Sequence, residues 1–198
     1  MKYSIQIAGV GGQGVLLASS ILGNAALKEG YELAMSEVHG MAQRGGSVLS
    51  TVRFGDDVIS PLEAEGQADL LLGFEPVETY RVLNLVNKES YIVMNLQVTV
   101  PPKVSMGMEE YPDIGLLVDN IRSVTDRLIT MNATELAIEA GKAVAANAVL
   151  IGAVAGIANF PLRTELLEET LLETVPSRFG EVNARAFRLG LEAVRSAR

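Results

Sequence analysis

The sequence of 198 residues contains no cysteine and no tryptophan, and it has a single histidine. Without cysteine, the chain supplies no disulfide, no thiolate ligand for zinc or an iron–sulfur cluster, and no thiol nucleophile. One histidine also argues against a histidine-rich catalytic metal centre. We therefore predict that this chain holds no metal ion of its own.

Basic residues are also few: the chain has 16 Lys and Arg and 24 Asp and Glu, which gives a net charge of −8. A general nucleic-acid-binding protein needs a basic face to displace counterions, so the composition argues against that class. Hydrophobic residues make up 48%, aromatic residues only 5%, and there are 19 glycines. These proportions predict an aliphatic core that packs closely around small residues. The length fits one domain over residues 1–198, with an α/β core in 1–142 and helices in 143–198.

Neither apolar segment of note has the features of a membrane or export signal. The N-terminal run in MKYSIQIAGVGG breaks at Gly9, which indicates a first strand and argues against a signal peptide. Residues 143–160 approach the length of a membrane span, and Gly152 and Gly156 form a GxxxG pair. That run contains two asparagines and lacks basic or aromatic anchors, which favours a buried core helix. We therefore expect a cytoplasmic protein.

The order of predicted elements indicates an α/β fold. A strand at 3–8, a helix at 15–28 and a strand at 31–38 form a βαβ unit, with Gly30 at the C-terminal cap of the helix. Further strands are predicted at 47–54, 68–73, 91–95 and 127–131, with a hairpin return at 58–60, and further helices at 75–86, 113–124, 133–141, 164–174 and 180–197. The fold class expected is a Rossmann-like, mostly parallel sheet with helices on both faces and a C-terminal helical cluster.

The turn after the first strand is the first candidate binding site. It contains Gly9, Gly11, Gly12, Gln13 and Gly14. The spacing G-x-G-x-x-G is that of dinucleotide-binding turns, in which glycines let backbone N–H groups approach a pyrophosphate at the N-terminus of a helix. Glu37, 23 residues beyond Gly14, is close to the spacing of about 20 expected for a ribose-binding acid. The extra glycine and the unusual loop after Glu37 weaken this interpretation, so phosphate binding and close packing both remain open.

The loop between the second and third predicted strands is the second candidate. Together with the end of the preceding strand, it supplies the residues that we expect to face a substrate or a partner: Glu37, His39, Gln43, Arg44, Gly45, Gly46 and Ser47. Arg44 beside two glycines suits a carboxylate or a phosphate, because its guanidinium donates two parallel hydrogen bonds. The alternative is an ordered loop in which Arg44 pairs with a local acid. His39 suits a hydrogen-bonding role better than that of a general base, and no catalytic triad or carboxylate pair is visible. We therefore predict no catalytic residue on this chain.

Five segments carry a resemblance to a known family. In chain order they are IAGVGGQGV, SEVHGMAQRGGSV, VRFGDDVISP, ADLLLGFEPVE and NAVLIGAVAGI. Together they resemble the gamma-type domain of the 2-oxoacid:ferredoxin oxidoreductases, with the greatest similarity to the small, beta subunits that act on indolepyruvate. The resemblance covers essentially the whole chain, and its most specific part is the HGMAQRGG loop.

The resemblance implies an enzyme complex that oxidatively decarboxylates an aryl 2-oxoacid, passes the acyl group to coenzyme A and reduces ferredoxin. It implies that thiamine pyrophosphate and the iron–sulfur clusters reside on a large alpha subunit, that this chain binds neither cofactor, and that the isolated chain is inactive. Coenzyme A is then the first candidate for the glycine turn. Two other interpretations remain: a free-standing NAD(P)-binding oxidoreductase and a purely structural module. We also expect the isolated chain to form a homodimer, with no nucleic-acid or membrane partner.

Overall fold

The computed structural model describes residues 1–40 and 45–196. Within these residues the chain forms six strands and eight helices. The strands are β1 (Lys2–Val10), β2 (Glu32–His39), β3 (Ser47–Gly55), β4 (Ala68–Gly73), β5 (Val86–Asn95) and β6 (Leu128–Met131). The helices are α1 (Val15–Lys28), α2 (Pro76–Arg81), α3 (Pro102–Ser105), α4 (Ile114–Arg122), α5 (Ala133–Ala140), α6 (Ala146–Ala155), α7 (Thr164–Thr174) and α8 (Gly180–Ser196).

The strands form one mixed sheet in the order β2-β3-β1-β4-β5-β6. Strands β1, β4, β5 and β6 are parallel neighbours, whereas β3 is antiparallel to both β1 and β2. Five of the six strands therefore run in the same direction, which confirms the predicted α/β class. The predicted βαβ unit is split, however, because β3 is inserted between β1 and β2.

The predicted hairpin return at 58–60 is wrong, because side chains hold this segment without a strand ladder. Arg53 Nη1 donates to the carbonyl oxygens of Ser60 at 2.9 Å and Leu62 at 2.6 Å. The backbone N–H of Val58 donates to a carboxylate oxygen of Glu32 at 3.0 Å. Long-range contacts with two strands thus override the local preference for extended backbone.

Several helix ends follow the signals in the sequence. Gly30 adopts a φ of 92° after α1, where Tyr31 N–H donates to Ala26 O and Gly30 N–H donates to Leu27 O, both at 3.0 Å. This is the Schellman arrangement, in which the left-handed residue suits glycine. Asn132 caps α5 by accepting from the N–H of Glu135 at 3.2 Å. The helix predicted at 75–86 is shorter than expected, since α2 ends at Arg81.

Helices cover both faces of the sheet, as predicted. We call the side covered by α1, α5, α6, α7 and α8 the first face and the side covered by α2 and α4 the second face. The larger apolar cluster lies on the first face and includes Ile5 and Ile7 of β1. The smaller cluster lies on the second face and includes Leu71 of β4 and Ile121 of α4. Because α6 and α8 belong to the larger cluster, the C-terminal helices share one core with the sheet.

The apolar run in the last third of the chain forms a buried core helix, as predicted. Nine of the ten residues of α6 are buried. No helix in the described part of the chain is long and apolar enough to cross a membrane. Glycines let α8 approach α6 closely: a Cβ added to Gly152 would lie 1.9 Å from Phe187 O, and one added to Gly190 would lie 1.9 Å from Val149 O. The two helices therefore meet backbone to backbone, which leaves no room for a methyl group at either glycine.

We expect Gly190→Ala to destabilise the protein by about 1–3 kcal/mol or more, because the added methyl overlaps a backbone carbonyl that cannot move alone. Gly180→Ala is the matched control, since a Cβ at Gly180, the first residue of the same helix, meets nothing within 4 Å. That control should be neutral or slightly stabilising, because alanine favours helix. Urea denaturation of both variants tests this, and equal free energies of unfolding would contradict it.

Candidate functional site

The candidate site lies where the sheet reverses its winding. β1 pairs with β3 on one side and β4 on the other, and α1 packs on the first face while α2 packs on the second. The crevice between the carboxyl ends of β1 and β4 is thus the topological switch point, at which open α/β sheets bind their ligands. The glycine turn after β1 and the residues after β4 form its walls.

The glycines of this turn serve two different needs. A Cβ added to Gly9 would lie 2.8 Å from Phe74 Cβ, and one added to Gly14 would lie 2.9 Å from Asn147 Nδ2. Gly9 and Gly14 therefore permit close packing. Gly12 has a φ of 102°, and a Cβ there would meet nothing within 4 Å, so its backbone is open to an approaching ligand. Close packing thus accounts for Gly9 and Gly14, whereas the backbone of Gly12 is accessible.

Gln13 links the glycine turn to two other segments. Its side-chain oxygen accepts from the N–H of Val10 at 2.7 Å. Its amide nitrogen donates to Thr99 Oγ1 at 2.9 Å and makes a longer contact of 3.4 Å with the carbonyl oxygen of Phe74. Gln13 therefore sets the conformation of the turn and holds the segment after β5 against it.

The glycine turn and the loop after β2 come together, although Gly11 and Gly45 are 34 positions apart in the sequence. Gly11 N–H donates to Gly46 O at 2.8 Å, and Gly45 N–H donates to Gly11 O at 3.4 Å. His39 lines the same cavity as the turn. Ser47 lies exposed at the start of β3, opposite Val10 of β1. The two candidate sites are therefore one surface.

The remaining predicted site residues are Glu37, Gln43 and Arg44. Gln43 and Arg44 lie outside the described residues. Glu37 is exposed on β2, opposite Ser50 of β3. Because β3 separates β2 from β1, two strand spacings of about 4.8 Å each lie between the strand of Glu37 and that of the glycine turn. Glu37 therefore lacks the adjacency to the turn that the ribose-binding acid of a dinucleotide site requires.

Two cavities flank the glycine turn and share Gly12 and Gly14. The first, of about 340 Å³, lies between the turn, the first residues of α1, the end of β2 and the start of β3. The second, of about 330 Å³, lies over the carboxyl ends of β4 and β5. Polar residues lining the second cavity are Gln13, Asn95, Gln97, Thr99, Thr134 and Asn147. An elongated ligand can therefore contact the turn from either side.

Asn95 and Asn147 are site residues that the sequence analysis missed. Asn95 is buried and accepts from Ala133 N–H at 3.0 Å, while its amide nitrogen donates to Phe74 O at 3.3 Å. The signal for Asn95 in the sequence was a polar residue at the end of the buried strand β5. Asn147 lies in the first turn of α6, against Gly14. No local pattern marks Asn147, because its role arises from the packing of α6 beneath the turn.

The two helices that start at the switch point differ in charge at their N-termini. The carboxylate of Glu75, only 1% exposed, caps α2 by accepting from Glu78 N–H at 3.0 Å and from the hydroxyl of Tyr111. Burial and this carboxylate raise the pKa of Tyr111 above its usual value. By contrast, Gly14 offers no side-chain cap to α1, and the first turn of α1 has no acidic residue. The N-terminus of α2 therefore interacts with a carboxylate of the chain, whereas the N-terminus of α1 has no carboxylate in its cap or first turn.

In the described part of the chain, no group of three or more His, Asp or Glu side chains is placed to hold a metal ion. The polar atoms at the switch point are instead backbone N–H groups, amides and hydroxyls. Such groups recognise phosphate and carboxylate oxygens. The fold and this edge together define a doubly wound α/β domain whose glycine turn leads into a helix without a side-chain cap.

Comparisons with known proteins identify the family. The family described as pyruvate ferredoxin/flavodoxin oxidoreductase matches residues 4–193. Indolepyruvate oxidoreductase subunit IorB of Pyrococcus horikoshii is 43% identical over 199 residues, spanning 98% of this chain and 96% of that protein. This chain therefore belongs to the pyruvate ferredoxin/flavodoxin oxidoreductase family, in agreement with the resemblance of its motifs.

Solved structures agree on the fold. The gamma subunit of a keto/oxoacid ferredoxin oxidoreductase from Geobacter sulfurreducens superposes with a TM-score of 0.72 at 24% identity, covering 99% of both chains. The 2-oxoglutarate:ferredoxin oxidoreductase of Magnetococcus marinus gives a TM-score of 0.67 at 18% identity. It matches all of this chain with 31% of its own, so this chain corresponds to one part of that longer protein.

We expect Gln13→Ala to speed hydrogen exchange of the Val10 amide roughly tenfold or more, because that N–H loses its acceptor in a partly buried position. The free energy of unfolding should fall by about 1–3 kcal/mol for the same reason. Gln97→Ala is the control, since Gln97 is exposed and its amide nitrogen donates to the carbonyl oxygen of the neighbouring Val98 at 3.2 Å. Unchanged exchange at Val10 in Gln13→Ala would show that Gln13 does not hold the turn.

Proposed function

We propose that this chain is the small subunit of an indolepyruvate oxidoreductase complex, which converts an aryl 2-oxoacid and coenzyme A to acyl-CoA and carbon dioxide while reducing ferredoxin. The observation that carries the proposal is the 43% identity to an indolepyruvate oxidoreductase subunit over nearly the full length of both chains. The alpha subunit is the specific partner proposed. The chain acts as a single domain in the cytoplasm and forms a homodimer when isolated.

The division of labour within the complex follows from composition. This chain has no cysteine, so any cluster held by cysteine thiolates must reside on another subunit. We assign both thiamine pyrophosphate and the iron–sulfur clusters to the large alpha subunit. The contribution of this chain is then to bind and orient a substrate, and the isolated chain is inactive.

Coenzyme A is the ligand that we assign to the glycine turn. Its pyrophosphate is a dianion, and the uncapped N-terminus of α1 beside Gly12 favours such a group. The structure from Magnetococcus marinus was determined with coenzyme A and succinyl-CoA bound, which makes coenzyme A a relevant ligand for a protein of this fold. In this assignment Arg44 donates to the phosphates, while His39, Gln43 and Ser47 face the substrate or the large subunit.

A substitution at Leu16 separates charge from shape at this site. Leu16 is 40% exposed in the first turn of α1 and lines the 340 Å³ cavity. Leu16→Glu places a carboxylate where the helix dipole favours it, so folding should be preserved while coenzyme A binds about tenfold more weakly. Leu16→Gln introduces a side chain with nearly the shape of glutamate but no charge, so it should bind coenzyme A nearly as the wild type does.

Isothermal titration of the reconstituted complex with coenzyme A measures this difference, and Arg44→Ala should weaken binding in the same experiment. Equal affinities for Leu16→Glu and Leu16→Gln would refute a phosphate at the N-terminus of α1. A fluorescence titration of the isolated chain with NADH examines the alternative oxidoreductase, because tight binding would favour a free-standing NAD(P) enzyme.

The subunit role has its own test, namely reconstitution of the large subunit with and without this chain. We expect the two to co-purify, and indolepyruvate-dependent dye reduction to need both. The large subunit alone should lose most of its activity, because it lacks the surface that orients coenzyme A. Equal activity of the large subunit alone would rule out the proposed role of this chain.

A further inference from the structure

Three cationic side chains lie together where the chain leaves α5 and where it enters α8. The Lys142 ammonium lies 4.6 Å from the centre of the Phe179 ring, and the Arg178 guanidinium lies 4.8 Å from the same centre. Arg185 lies beside them, because a Cβ added to Gly141, the residue before Lys142, would be 3.5 Å from its Nη2. All three cationic residues are exposed. We call Lys142, Arg178 and Arg185 the basic cluster.

The basic cluster has no counter-ion among the described residues, where no carboxylate lies within ion-pair distance of any of its three side chains. The aromatic ring of Phe179 attracts the two nearest cations but carries no net charge. Elsewhere, basic side chains are paired with carboxylates, as they are at Lys28, Arg53, Arg81, Arg127, Arg163 and Arg188. The mutual repulsion of the cluster is therefore left for an external anion to relieve.

A third cavity, of about 150 Å³, connects the basic cluster with the glycine turn. Lys142 and Phe179 line this cavity. Leu17 lines both this cavity and the 340 Å³ cavity beside the turn. Val144 and Asn147 line both this cavity and the 330 Å³ cavity over β4 and β5. Because the cavities share these walls, all three adjoin one another around the N-terminus of α1.

The wall of the third cavity is mostly apolar. Its apolar residues are Leu17, Val144, Val175, Pro176, Phe179 and Val182. Asn183 also lines it, is buried, and holds the backbone of Phe179 by donating to its carbonyl oxygen at 2.9 Å. The volume is below the range of about 300–1,000 Å³ that accommodates a whole ligand. The cavity thus suits a single ring system, and the basic cluster beside it suits an anion attached to that ring.

We propose that the basic cluster binds the 3′-phosphate of coenzyme A, with the adenine in the 150 Å³ cavity and the pyrophosphate at the N-terminus of α1. The inference rests on the proposed coenzyme A site and extends it to the other end of the same ligand. Lys142 and Arg178 contact the phosphate, and Arg185 adds positive charge behind them. Arg44 and the N-terminus of α1 keep the pyrophosphate.

The arrangement of charge favours a ligand with two separate anionic groups. Coenzyme A carries a pyrophosphate and, across its ribose, a phosphate monoester. The chain offers two matching positions on one edge, namely the uncapped N-terminus of α1 and the basic cluster, with an apolar cavity between them. A 2-oxoacid has a single carboxylate and would use only one of the two positions. The basic cluster therefore selects the phosphorylated co-substrate.

The test compares coenzyme A with 3′-dephospho-coenzyme A, which lacks only this phosphate, by isothermal titration of the reconstituted complex. The wild type should bind coenzyme A roughly tenfold or more tightly than the dephosphorylated form, because charge-assisted hydrogen bonds to the phosphate are strong. The double variant Lys142→Gln with Arg178→Gln should bind the two ligands alike. Its affinity for the dephosphorylated form should equal that of the wild type.

A matched control removes two positive charges away from this edge. Lys88 of β5 and Arg195 of α8 are exposed and line none of the three cavities. The double variant Lys88→Gln with Arg195→Gln changes the net charge by the same amount, so it should keep the wild-type preference for coenzyme A. Loss of the preference in this control would assign the effect to net charge and overturn the proposal.

The outcomes separate this inference from the proposed function. Equal affinity of the wild type for the two ligands refutes the 3′-phosphate site and leaves coenzyme A at the glycine turn. A wild-type complex that binds neither ligand refutes both. If the Lys142→Gln and Arg178→Gln variant keeps the preference, the basic cluster is not its source. If that variant also co-purifies poorly with the large subunit, the basic cluster belongs to a subunit interface, and the proposal is again wrong.

Discussion

The backbone contact between α6 and α8 is the constraint on which the rest of the structure depends. Gly152 and Gly190 let the two helices approach until no methyl group fits between them. This closeness allows α6, which is apolar all round, to lie in the core beneath α8. Its first turn then reaches the carboxyl edge of the sheet, where Asn147 packs against Gly14. The packing of α6 against α8 thus positions Asn147, which supports the glycine turn at Gly14.

The two βα turns at the switch point differ in the charge at the N-terminus of the helix that follows each of them. The turn after β4 is closed by its own buried carboxylate, since Glu75 caps α2 and accepts from Tyr111. The turn after β1 has glycine at the cap and no acid in the first helical turn. A helix that satisfies its own N–H groups is structural, whereas one that leaves them available attracts anions. This contrast supports the proposed placement of coenzyme A at the N-terminus of α1 rather than at that of α2.

Much of the fold was predictable from local patterns, because β4 is a continuous apolar run and α1 and α7 have apolar residues at helical spacing. Gly30 and Asn132 marked helix termini correctly, since capping depends on the few residues around the end. The order of strands was not predictable in the same way. Nothing within residues 3–38 indicates that β3 separates β1 from β2, because that insertion depends on a later strand. The segment of residues 58–60 was likewise misjudged, since its conformation depends on Arg53 and Glu32 in other elements.

The sequence by itself determined the class of the protein and the chemistry that the chain lacks. With no cysteine and a single histidine, it offers no thiolate ligand for an iron–sulfur cluster, and its motifs indicated the family. Only the tertiary structure decided which glycine of the turn is open and which are packing positions. It also brought the loop after β2 onto the turn and separated Glu37 from the turn by the strand β3. Residue types and spacing are local properties, whereas cavities and charge pairs arise where distant segments meet.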